Sequence, residues 1–130
     1  MHNTPTPDEL LEVVARYLTE VAMPLLPPAA AFHARVAANA LQVVRRQIAL
    51  APAQEAAERE RLAALPAGLG TDDPDLARAN LALAAAIADG RLGPADPALL
   101  AHLWQTTLDR LAVDQPGYAS YVAETRHSAG

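Results

Sequence analysis

The sequence predicts an all-α protein, a five- to six-helix bundle in a single domain, from three observations. Prolines punctuate its boundaries, large apolar residues recur at steps of three and four, and no segment alternates as a strand does. The boundaries are Thr6-Pro7-Asp8-Glu9, Pro27-Pro28, Asp73-Pro74-Asp75 and Asp96-Pro97. Proline suits the first helical position because the amide it lacks has no partner there, and a preceding Thr or Asp oxygen accepts from the free amides beyond. At 130 residues the chain has the size of one domain, and no repeat or linker separates its halves. The expected division is a disordered N-terminal tail over 1–6, a helical domain over 7–126 and a frayed C-terminus over 127–130.

The first helix is expected from Pro7 to about Met23, with Thr6 as cap and Glu9 completing a capping box. Leu10, Leu11, Val14, Tyr17, Leu18 and Val21 repeat at helical spacing and predict one buried stripe. Pro24, Pro27 and Pro28 then impose a rigid turn whose Leu25 and Leu26 are expected to plug the end of the bundle. The second helix is expected from Pro28 to about Leu50. Its apolar face carries Phe32, Val36, Ala40, Val43, Val44 and Ile48, and a polar row holds Arg35, Asn39, Gln42 and Arg46.

Pro52 is expected to open a third helix to Leu65, poorer in apolar pattern and therefore placed on the outside. The stretch Pro66-Ala67-Gly68-Leu69-Gly70-Thr71-Asp72 reads as the clearest loop. A fourth helix follows from Pro74 to Ala88 or Asp89, with Leu76, Asn80, Leu83 and Ile87 in one row and Gly90 at the left-handed closing position. A fifth runs from Pro97 to about Asp114, buried through Leu99, Leu100, Leu103, Trp104, Leu108 and Leu111. Pro116-Gly117 ends it, and Tyr118 to about Arg126 forms a short closing helix.

Composition narrows the function more than it defines it. Of the hydrophobic residues 31 are alanine and only five are aromatic, so helices are expected to approach closely around a thin core. A net charge of -5 argues against a general affinity for nucleic acid or anionic membrane. The absence of cysteine removes disulfides, thiolate metal sites and thiol nucleophiles. No N-terminal basic segment leads into an apolar run and no stretch is long enough to span a bilayer, so a cytoplasmic location is expected. His2, His33, His102 and His127 are not spaced as metal ligands, and neither a metal nor a cofactor is assigned.

The residues left as weak candidates for ligand or partner contact are His33, Arg35, Asn39, Arg46, Asn80, Arg110 and Tyr118. His33 is expected half-buried at the start of the second helix, where a pKa near neutrality suits a base or a substrate contact as well as a structural hydrogen bond. Arg35, Arg45 and Arg46 face acidic neighbours, and charge pairing with the first helix (Asp8, Glu9, Glu12, Glu20) competes with an anion pocket. Asn80, inside a helix with poor propensity for it, implies a specific partner for its amide. His102 is expected at an exposed rim. Arg110 is placed favourably near a helix end, and Asp114 is expected to hold the turn that follows. No catalytic residue is assigned.

Three segments carry a resemblance: Phe32-His33-Ala34-Arg35-Val36-Ala37-Ala38-Asn39-Ala40-Leu41, Ala79-Asn80-Leu81 with Ile87, and Leu108-Asp109-Arg110-Leu111-Ala112-Val113-Asp114-Gln115-Pro116-Gly117-Tyr118. From about Pro7 to Tyr121 the chain resembles a bacterial family of small uncharacterised helical proteins, a domain of unknown function. Its members tend to be encoded beside aminoglycoside-kinase-like phosphotransferases and acyl-CoA dehydrogenases. The resemblance implies a partner rather than a reaction and supplies no catalytic residues.

The expected function is therefore that of an accessory, partner-binding helical protein, working with a kinase-like phosphotransferase or with itself as a homodimer. The competing expectation is a small enzyme or a binder of an anionic small ligand, with a pocket near His33, Arg35, Asn39 and Asn80. A DNA-binding helix-turn-helix is disfavoured, because the Pro24–Pro28 segment is too rich in proline for its turn.

Overall fold

The computed structural model describes residues 4–129, and every regular element among them is helical. Helix α1 spans Pro7–Tyr17, a π-helical turn spans Leu18–Ala22, and a short α2 spans Met23–Leu25. Helix α3 spans Pro28–Ala63, α4 Leu76–Ala88, α5 Pro97–Asp114 and α6 Ala119–Ser128. By contact the chain divides into two units, residues 1–50 and 51–130, with the boundary inside α3. Residues 1–3 of the expected tail and the C-terminal residue 130 lie outside the described residues.

In the first unit, α1 starts as its sequence dictates. Thr6 Oγ1 accepts from the Glu9 amide at 3.2 Å, and the Thr6 amide donates back to Glu9 Oε2 at 2.8 Å. The π turn has a local cause. The Thr19 hydroxyl donates into the carbonyls of Ala15 and Arg16, and Pro24 supplies no amide to the carbonyls behind it, so the ladder widens to reach a donor. The Met23 amide then bonds Leu18 O five residues back.

Corrections to the expected core begin here. Among the described residues only Ala15, Ala34 and Ala38 are buried in this unit, while Leu10, Val14, Tyr17 and Val21 of the expected α1 stripe are exposed, as are Phe32, Val36, Val44 and Ile48 of α3. Small residues let the two helices touch, so Leu11, Leu18 and Leu41 at the seam are half-covered. Leu25 is 80% exposed and plugs nothing.

Helices expected to be separate at Pro52 are one. Proline sits inside α3, flanked by Ala51 and Ala53 in a run of good helix formers. The boundary between the units falls at Leu50–Ala51, beside the turn whose hydrogen bond Pro52 cannot make.

The second unit holds the larger core: Leu62, Leu65, Ala79, Leu83, Ala86, Leu92 and Leu99, with Leu69 and Leu76 packed against it. The end of α3, expected on the outside, therefore contributes its most buried side chain, Leu62 at 0% exposure. In the loop before α4, Gly68 and Gly70 adopt positive φ, and Thr71 is buried. Helix α4 starts two residues later than expected, capped by Asp75, whose carboxylate accepts from the Arg78 amide at 2.9 Å. It ends at Gly90, which takes the expected left-handed φ of 81°.

Helix α5 has the expected bounds and a different buried face. Leu99, His102 and Val113 point inward, whereas Leu100, Leu103 and Trp104 are exposed. Asp96 does not cap it, since its carboxylate accepts from the Gly93 amide at 2.7 Å instead.

Candidate partner-docking surface

The first unit is a helical hairpin whose two sides differ in chemistry. Along one side runs a shallow groove lined by Glu12, Arg16 and Thr19 of α1 with Asn39, Gln42 and Arg45 of α3, floored by Ala15 and Ala38. Arg45 holds it together. Its Nε donates to Asp8 Oδ1 at 2.8 Å, its second terminal nitrogen to Asp8 Oδ2 at 3.1 Å, and its other to Gln42 Oε1 at 3.1 Å. The hydrogen bonds from Arg45, aided by its charge, hold the Asp8 carboxyl below the usual carboxylate range, and the same pairing raises the arginine. This is the charge pairing between neighbouring helices that the sequence offered against an anion pocket. The guanidinium's donors are already committed to protein.

The other side of the hairpin carries no such polar row. In α1 the residues Leu10, Val14, Tyr17 and Val21 follow at steps of four, three and four, half a turn round from Glu12, Arg16 and Thr19. In α3, Ala37, Val44 and Ile48 form a stripe that lies away from Asn39 and Gln42. Val14 is 48% exposed and Tyr17 57%, so these side chains meet water over about half their surface. A hairpin that is polar on one side and largely aliphatic on the other, with alanines buried and three leucines half-covered between its helices, presents the second side to be covered.

The residues singled out from sequence divide between the two units. Asn39 lines the polar groove. Arg35 is exposed, Arg46 is half-buried, and His33 is exposed rather than half-buried, its ring edge-on to Phe32 at 5.7 Å. Asn80, in the second unit, has specific partners, though they are a carboxylate and a carbonyl of its own helix: the amide donates to Glu58 Oε1 at 3.0 Å and to the Leu76 carbonyl at 3.1 Å. Arg110 is exposed and pairs with Asp114 at 2.9 Å, so Asp114 spends its carboxylate along α5 rather than on the turn. Tyr118, half-exposed, stands before α6.

Sequence reasoning missed a buried polar cluster in the second unit. His102 is 2% exposed. Arg61 Nε donates to its Nδ1 at 3.2 Å, so that nitrogen is the unprotonated one, and the same guanidinium reaches Thr106 at 3.4 Å and Asp109 at 3.7 Å. Burial first, then the Arg61 charge, push the imidazole below the ordinary histidine range, while Glu58 opposes both. Among the described residues no buried side-chain polar atom lacks a partner and no three potential ligands gather as a metal site. The cluster reads as structure: a neutral histidine accepting from a charged donor.

A family model for a domain of unknown function, DUF6285, matches residues 24–118. No curated protein and no solved structure matches the chain. Among the described residues, no helix is long and apolar enough to cross a membrane.

Proposed function

We propose, from the premise that this chain belongs to the DUF6285 family, that it is an accessory helical protein whose work is to bind a protein partner through the aliphatic side of its N-terminal hairpin. A kinase-like phosphotransferase of the kind encoded beside such genes is the enzyme partner we favour, in the cytosol. The observation that carries this reading is the placement of large apolar side chains. Leu10, Val14, Tyr17, Val21, Val44 and Ile48 are exposed while the hairpin's own buried residues are three alanines. Water penalises that arrangement by about 25 cal/mol for each Å² of apolar surface left uncovered, and a partner's surface relieves it.

The small-ligand reading has less to stand on, because the Asn80 amide is already donated twice within its own unit and Arg45 is committed to Asp8 and Gln42. The test is direct mixing of the purified chain with a kinase-like phosphotransferase of the proposed kind, read by light scattering after gel filtration. A complex is expected with the natural chain and is expected to weaken at least tenfold with Val14→Glu or Val44→Glu, at unchanged helicity. No complex, or one indifferent to both substitutions, contradicts the reading.

A further inference from the structure

We infer that the aliphatic side of the N-terminal hairpin is covered by the same side of a second copy, giving a two-fold four-helix bundle built from two hairpins; this rests on the reading that this side binds a protein, and makes the second copy its resting occupant, which an enzyme partner would have to displace. Charge favours this occupant. The hairpin's acidic residues, Asp8, Glu9, Glu12 and Glu20, are matched in number by Arg16, Arg35, Arg45 and Arg46, so residues 4–50 are neutral by side chain with histidine uncharged. The chain's net charge of -5 is thus carried by residues 51–130. Two copies meeting through their hairpins join neutral surfaces, whereas joining through the second unit would bring like charge together.

Area and geometry agree with that choice. Six large side chains about half exposed offer on the order of 500 Å² per copy, hence ~1,000 Å² for a two-fold pair before the flanking alanines are counted, which reaches the lower bound of a specific interface. The stripes also have the form of a bundle seam: steps of three and four on each helix, small residues between the helices of one copy, and no charged residue within either stripe. A face that meets itself must be complementary to itself, and an uncharged, largely aliphatic face meets that condition with the Tyr17 hydroxyl as the polar group of its α1 stripe.

Sedimentation equilibrium of the full chain tests this. A mass of twice 13.7 kDa is expected, falling twofold to that of a single chain for Val14→Glu and, independently, for Tyr17→Lys, each at unchanged circular dichroism. Asn39→Lys, in the polar groove on the opposite side, is expected to leave the pair intact. A single-chain mass for the natural protein at tens of micromolar overturns the inference, and so does a dimer that survives both face substitutions. The partner reading fails separately: a dimer that ignores the phosphotransferase removes that reading alone, and a monomer that binds the enzyme through Val14 removes the second copy alone.

Discussion

His102 shows how a single residue can be misplaced by its neighbours in sequence. Flanked by Leu103 and Trp104 it reads as a rim position, yet those two are exposed and the histidine is buried against Arg61. Period alone gives the width of an apolar face and not which part of it is covered; the partner that decides this, Arg61, is 41 residues away and looks like any surface arginine. Asn80 was legible for the opposite reason, because an asparagine inside a helix has a cost that implies a partner, and Glu58 with the Leu76 carbonyl is that partner. The sign of the pH effect at His102 follows from its lowered pKa. Below the unfolded-chain value of about 6.5 the unfolded state takes up a proton that the folded state resists, so stability falls as pH drops from there towards the folded pKa and is whole above it. The urea midpoint is expected to decline between pH 7.5 and 5.5, and His102→Gln, which keeps an acceptor for Arg61 and cannot titrate, is expected to flatten that decline. Equal slopes in both proteins would contradict the assignment.

Among the elements, the starts of α1 and α5 and the end of α4 were readable because each is fixed by chemistry within a few residues: the Thr6–Glu9 capping box, Pro97, and Gly90 at a φ of 81°. Pro52 was misread because the same local rule has two outcomes. Proline opens a helix where the chain has already turned, but within a run of alanine, leucine and glutamine the helix continues past it, and the loss is confined to one hydrogen bond and local strain. Pro52→Ala restores that bond and is expected to stabilise the protein by about 1–3 kcal/mol in thermal unfolding. The unfolded chain of the variant is also freer, which sets the lower end of that range. No change, or a loss, would mean that proline is accommodated at this position without strain.

For the whole molecule, the composition reading of a thin, alanine-rich core holds in the hairpin and fails in the second unit, where Leu62, Leu83, Leu92 and Leu99 make an ordinary leucine core. The all-helical class was legible from periodicity alone. What periodicity could not disclose is that one apolar arc on α1 serves two purposes: Leu11, Ala15 and Leu18 turn toward the seam with α3, and Leu10, Val14, Tyr17 and Val21 remain outside it. The central claim is that this outer part is covered in the working protein and helps hold the hairpin folded, since two helices joined through alanines have little else to do so. Amide hydrogen exchange of the natural chain beside Val14→Glu tests it most directly. Strong protection across residues 10–21 and 37–48 is expected in the natural protein and is expected to fall by at least tenfold in the variant, while the amides around Leu62 and Leu83 keep theirs. Identical protection of both hairpin helices in the two proteins would contradict the account.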